Sequence, residues 1–234
     1  MMRNVNRGNV VFASLLAVAG VAFVARLAAS SPAAAVEIPA PAHDERIANA
    51  KTETAVFAGG CFWGIQAVFQ HMKGVVSATS GYAGGTVSNP SYEHVSSGAT
   101  GHAESVRVVF DPSQVTYGQL LQVFFSVAHD PTELNRQGPD VGTQYRSALF
   151  YMNESQKTTA EAYIAQLEKA HAFPQPIVTQ VAALKGFYPA EAYHQNYAEL
   201  HPNDPYIVFN DAPKVANLKK RFPELYTEKL AAHE

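Results

Sequence analysis

Apolar positions along the chain follow two periods, and the switches between them outline a mixed fold. The apolar run Thr54-Ala55-Val56-Phe57-Ala58, closed by Gly59-Gly60, has the pattern of a buried strand. Phe62, Ile65, Val68 and Phe69 then recur at helical spacing, so Cys61 falls where a strand gives way to a helix. Residues 75–82 predict a second strand, ending in the turn segment Gly81-Tyr82-Ala83-Gly84-Gly85, and residues 86–102 a long polar loop. Val106, Val108 and Phe110 alternate with Arg107 as a half-buried strand would. Leu120, Leu121, Phe124 and Phe125 share one face of a helix over 116–127, with Thr116 as its N-cap. An irregular stretch, 129–142, precedes a strand at 145–152, a helix at 154–170 capped by Asn153, and a strand at 177–182. After Phe187 the chain is aromatic and irregular, with short helices expected near 191–197 and 212–221. Strands and helices do not strictly alternate, so the expected class is α+β, a single two-layer domain with helices packed on a mixed sheet.

The N-terminal stretch reads differently. Arg3 and Arg7 precede an apolar run over 10–25, Arg26 interrupts it, and Ala33-Ala34-Ala35 offers a small-residue cleavage site. Residues 1–35 are therefore expected to be a signal peptide or an uncleaved N-terminal anchor. The leader contains no cysteine to carry a lipid. The protein is expected to be exported, to the periplasm, and to meet a membrane only if the leader is retained. Residues 36–51 are rich in Pro and Ala and read as a linker too poor in apolar surface to order itself. The domain proper is placed at 52–234.

Composition narrows the chemistry. A net charge of -3 over 234 residues, with no Lys/Arg cluster, argues against a nucleic-acid partner. One cysteine rules out an internal disulfide, a CxxC redox motif and a Cys-rich metal site. The nine histidines show neither HExxH nor i, i+4 pairing, so no metal is expected. The bland reading of Cys61 is a buried small hydrophobe. Its neighbours argue otherwise: Gly59-Gly60 lets the backbone approach a reacting group, and a helix N-terminus lowers a cysteine pKa. Phe62 and Trp63, the only Trp, adjoin it; they suit a methyl-bearing, polarisable substrate, or else they are ordinary core.

Gly60-Cys61-Phe62-Trp63-Gly64 resembles the signature of the peptide methionine sulfoxide reductases of the A type, which act on the S epimer. The likeness continues in order through Gly81-Tyr82-Ala83-Gly84-Gly85, Asn89-Pro90-Ser91-Tyr92, Thr100-Gly101-His102-Ala103-Glu104 and His129-Asp130-Pro131. It extends over residues 136–147 and through Tyr193-His194-Gln195, so that it spans about residues 52–197. The resemblance implies that Cys61 attacks the sulfoxide sulfur and becomes a sulfenic acid. It implies that Glu104 is the general acid, kept protonated by apolar surroundings. Tyr92 and Tyr145 would hydrogen-bond the sulfoxide oxygen, Asp140 would organise that polar site, and Phe62 and Trp63 would hold the substrate methyl. His102, His129 and His194 would support these groups by hydrogen bonds. Without the resemblance, Glu104 could be a solvated residue at a strand start, the tyrosines ordinary packing, and Asp140 a turn residue.

Many members of the family carry further cysteines near the C-terminus, and this tail has none. A one-cysteine cycle is expected, with no bound cofactor and an external thiol reductant: thioredoxin, a glutaredoxin-like protein, glutathione or a periplasmic thiol carrier. The other expected partners are oxidised proteins, as substrates, with free methionine sulfoxide left open as a second substrate; a monomer is expected. Two other classes compete. A cysteine hydrolase or acyltransferase needs an imidazole within about 4 Å of the sulfur. A non-catalytic peptide-binding module would keep its activity after Cys61→Ser.

Overall fold

The run Glu53–Gly59 forms the central strand β1 of a six-stranded sheet, because both of its faces find apolar cover. Ala55 and Phe57 join the main core on one side, while Val56 and Ala58 join a smaller cluster with Ala148 and Phe150 on the other. In chain order the elements are β1, α1 (Phe62–Gln70), β2 (Val75–Ala83), α2 (Tyr92–Ser96), β3 (Ala103–Phe110) and α3 (Tyr117–Val123). There follow β4 (Arg136–Gln137), β5 (Asp140–Val141), β6 (Ser147–Tyr151), α4 (Glu154–Lys169), β7 (Gln180–Ala183), β8 (Phe187–Pro189), α5 (Tyr197–Leu200) and α6 (Ala212–Arg221). The large sheet runs β7-β6-β1-β3-β2-β8; its pairs are antiparallel except β6 with β7, which is parallel. The fold is thus α+β on a mixed sheet. The computed structural model describes Met1, residues 35–44 and residues 51–233.

Helices cover the side of the sheet that carries Phe57. Its ring packs on Phe69 of α1 at 4.6 Å and on Phe124 at 5.2 Å, where α3 continues into a π-helical turn. Thr116 caps α3 as its sequence predicts: its hydroxyl accepts the Gln119 N–H while Gln119 returns a bond to the Thr116 N–H. Asn153 caps α4 in the same way, accepting from Gln156 N at 2.9 Å.

Several segments depart from the sequence pattern for identifiable reasons. The polar loop at 86–102 contains α2, whose start is fixed by Glu191 accepting the Tyr92 N–H. Part of the 129–142 stretch closes into the small β4–β5 ribbon. The strand expected from 145 begins at Ser147, because Thr143–Tyr145 winds into a 3-10 turn. In the tail, the helix expected at 191–197 is split. Asn196 takes a left-handed φ of 56° between the 3-10 turn Ala192–His194 and α5.

The leader, 1–35, lies outside the described residues except at Met1 and Ala35, and so does the linker at 45–50. The described part of that linker corrects the reading of a loose tether. Ile38 is buried in the main core. Val36 N–H donates to Ser126 O, Tyr163 OH to Pro39 O, and Gln166 Nε2 to Ala40 O. Asp44 accepts the Gly118 N–H at the start of α3. The segment has few large apolar side chains, but its backbone carbonyls are satisfied by side chains of the domain, a source of order that composition does not register.

Candidate active site

Cys61 is the N-cap residue of α1, at the turn out of β1. Gly60 makes that turn with φ of +95°, and the Gln137 side chain occupies the space where a Cβ would stand, so no other residue fits there. Cys61 is 8% exposed: close-packed, yet not sealed. The thiol differs from the sequence expectation of a lowered pKa. Burial pushes it well above its usual value, and the charges of Glu104 and Asp211 add to this, while the Trp63 backbone N–H and Lys214 oppose. A helix N-terminus alone does not outweigh desolvation.

Glu104 lies on β3 directly opposite Tyr82 of β2 and is 2% exposed. Strand alternation puts it on the same face as Val106, Val108 and Phe110, so the carboxyl continues an apolar stripe. Its Oε2 accepts the N–H of Phe62, the residue after Cys61, at 3.0 Å. Burial raises its pKa to about 8 against that bond, helped by Asp140 and Asp211, so the group is protonated at neutral pH.

The remaining sequence-predicted residues converge on this pair. Tyr92, at the start of α2, is pushed up to about 12 by burial and then by Glu104 and Cys61. Tyr145 is raised by burial and by Glu104, Asp140, Tyr92 and Cys61. Asp140, in β5, is raised by burial against a hydrogen bond from Tyr206 and the charge of Lys214. Phe62 is buried with its ring 5.0 Å from His194 and 5.9 Å from Tyr82. Trp63 is only partly buried. Tyr197 stacks on its face at 3.8 Å, Tyr206 meets it edge-on, and its indole N–H donates to His194 Nδ1 at 3.2 Å.

Of the three histidines expected to support the site, only His194 touches these rings. His129 bonds Ser147 Oγ and Phe124 O, and burial lowers its pKa to about 4; His102 braces Gly85 N and Val87 O. Sequence reasoning missed Glu191, which accepts from both Tyr82 OH and Tyr92 N. It also missed Tyr197, Tyr206, Asp211 and Lys214, all in the tail after Phe187.

This arrangement offers a nucleophilic sulfur beside a neutral carboxyl, two phenols able to donate to a developing oxyanion, and aromatic walls. The titratable group bonded to the N–H that follows Cys61 is the Glu104 carboxyl, where a cysteine hydrolase requires an imidazole. Residues 53–226 match the family described as peptide methionine sulfoxide reductase. A peptide methionine sulfoxide reductase of Mesorhizobium japonicum is 62% identical over 186 residues, which cover 80% of this chain and 95% of that one. One from Deinococcus radiodurans is 53% identical over 174 residues, 74% of this chain and 84% of that one. The solved methionine sulfoxide reductase A of Corynebacterium diphtheriae superposes with a TM-score of 0.57 at 33% identity, over 74% of this chain and 90% of that one. The chain belongs to the peptide methionine sulfoxide reductases of the A type, oxidoreductases that return methionine S-sulfoxide to methionine.

Proposed function

We propose that Cys61 is the nucleophile of this reaction, that Glu104 is its acid, and that an external thiol completes the cycle. The observation that carries the reading is the Glu104 carboxyl, held neutral by burial and bonded to the N–H beside Cys61. The Cys61 sulfur attacks the sulfoxide sulfur while Glu104 gives its proton to the sulfoxide oxygen. Tyr92 and Tyr145 donate hydrogen bonds to that oxygen as charge grows on it. Asp140 holds Tyr206 and orders the polar side of the site, while Phe62 and Trp63 receive the substrate methyl. The proton lost by the thiol restores Glu104. The oxygen ends on Cys61, which is oxidised to a sulfenic acid as the methionine sulfoxide is reduced to methionine.

A second thiol must then attack the sulfenic acid, forming a mixed disulfide and releasing water. A further thiol frees Cys61 and leaves as disulfide. With one cysteine in the chain, both thiols come from outside. Thioredoxin, a glutaredoxin-like protein, glutathione and a periplasmic thiol carrier all supply that chemistry. We also propose export to the periplasm, on the strength of Arg3, Arg7, the apolar run and the alanine-rich site; N-terminal sequencing of fractionated protein checks it.

The decisive assay offers separated S and R epimers of a methionine sulfoxide peptide with a thiol reductant. Reduction of S alone is expected, with no turnover by Cys61→Ser. Equal rates on both epimers, or reduction only of R, overturn the reading. Mass spectrometry after one turnover without reductant should find one oxygen on Cys61.

A further inference from the structure

Tyr92 owes its place to a residue far along the chain. It opens α2, a helix of five residues inside the polar loop and too short to hold itself. Ser91, the N-cap, gives that helix start no side-chain bond. Glu191 supplies it: Oε1 accepts the Tyr92 N–H at 2.9 Å, and Oε2 accepts the Tyr82 hydroxyl at 2.8 Å. Both oxygens of one carboxylate are thus committed, one to the loop and one to the sheet. A cap serving stability alone would be met by Ser91, since serine is among the preferred residues there. Its hydroxyl is passed over for a carboxylate 99 residues along the chain.

The sheet end of this clamp is rigid. Tyr82 is fully buried in β2, paired with Glu104 of β3 on one side and with Tyr188 of β8 on the other. Glu191 follows Ala190, whose N–H donates to Ser80 O on the same strand, and its own carbonyl accepts the His194 N–H. The Tyr92 ring in turn packs on His194 at 4.4 Å. Partial burial works against the Glu191 charge, but the bonds from Tyr92 N, its own N–H and Tyr82 OH outweigh it and hold the carboxyl below its usual range. An ionised carboxylate accepts without donating, which matches the two donors it meets.

We propose that Glu191 is a positioning residue for the reaction: it ties the Tyr92 phenol to the strand beside Glu104, where charge grows on the sulfoxide oxygen. This rests on the reading of Tyr92 as a donor to that oxygen. Single-turnover reduction of a methionine sulfoxide peptide, without reductant, reads the chemical step. Glu191→Gln keeps the reach and an acceptor for the Tyr92 N–H, and its amide can donate to the Tyr82 oxygen, so it should react at about the parent rate. Glu191→Asp keeps the charge but falls one methylene short of both partners, and should be slowed about 10–100-fold. Tyr92→Phe alone should be slowed about 10²-fold. Adding Glu191→Asp to it should slow it no further, because the group being positioned is gone. Glu191→Gln slowed as much as Glu191→Asp, or more, marks a role for the charge and overturns the proposal. So does a parent rate for Glu191→Asp, or a double variant in which the two losses multiply, as general loosening requires. If Glu191→Asp does not fold, Tyr82→Phe decides, since it unties the carboxylate from the sheet. Slowing that disappears in the Tyr92→Phe background supports the clamp; a parent rate, or slowing that multiplies, overturns it. The donor reading fails separately, and the clamp with it, if Tyr92→Phe alone reacts at the parent rate.

Discussion

Glu104 enters the site from a strand paired with β2 along its length and with β1 from Val106 onward, whereas Tyr206 enters it from a stretch of the tail outside any ladder. The two walls do different work as a result. On the sheet side the carboxyl is immobilised in apolar surroundings, and the contact opposing its protonation is one backbone N–H. On the tail side, positions are set by side chains: Tyr197 stacks on Trp63, His194 accepts the indole N–H, and Tyr206 bridges to Asp140. Burial raises Asp140 as it raises Glu104, but Tyr206 and Lys214 oppose it. A rigid dry wall suits a proton donor, and a polar adjustable wall suits the placing of substrate and charge.

The comparison breaks most visibly at Glu104. Glu104→Gln should slow the chemical step by about 10²–10⁴-fold, because the amide cannot protonate the sulfoxide oxygen. In the parent protein the acid form is lost as pH rises through about 8, so single-turnover reduction should decline above that pH. Stability follows the same direction. The folded state holds a proton that the unfolded state releases between about 4.5 and 8, so the contribution of Glu104 to stability fades as pH rises across that window. Urea melts of parent and Glu104→Gln at pH 5 and pH 9 should show the variant gaining relative stability at the higher pH. A difference independent of pH would place Glu104 in the ordinary ionised class.

The tail side should respond less. Tyr206→Phe keeps the ring edge-on to Trp63 and removes the hydrogen bond to Asp140, a bond to a charged group worth about 1.5–3 kcal/mol. A loss of roughly tenfold in kcat/KM is expected if about half of that reaches the transition state. Smaller still, Tyr197→Ala removes the stack on Trp63, about 0.5–1.5 kcal/mol beyond area burial. As Trp63 is the only tryptophan, its emission should shift to the red in that variant, while Glu104-dependent pH behaviour stays in place.

The same division explains what the sequence displays. On the sheet side, period and punctuation coincide: the apolar run to Gly59-Gly60, the helical spacing from Phe62 and the alternation ending at Phe110 place β1, α1 and β3 within a residue or two. Glu104 was legible through its motif; the alternation alone left it as a solvated residue at a strand start, although β3 extends to Ala103 and turns it to the face of Val106. Tyr206 and Asp211 were not legible, because a π-helical turn at Ile207–Asp211 carries the chain past the site with no recurring apolar face; Lys214 lies in the helix expected at 212–221, but nothing local marks a lysine there as buried. Their inward direction comes from contacts with Trp63, Asp140 and Gly64, residues distant in sequence. Glu191 shows the same limit: its two bonds, to Tyr82 and Tyr92, join three segments that no local pattern connects.

The N-terminal strap lies on the far side of this comparison, and the smallest effect is expected there. Asp44 accepts the Gly118 N–H at 3.0 Å and the Thr116 hydroxyl, doubling the cap at the start of α3. Thr116 retains its own box with Gln119, so Asp44→Ala removes one of two devices at that helix end. The cost of losing a cap is about 1 kcal/mol, which for a domain of this size lowers Tm by roughly 2–4 °C. Calorimetry measures that shift, and a peptide sulfoxide assay below the transition should find turnover unchanged, because α3 carries none of the groups around Cys61. A fall in activity with Tm unaltered would mean that the strap acts on the site, and the separation of a catalytic face from a supporting one would have to be redrawn.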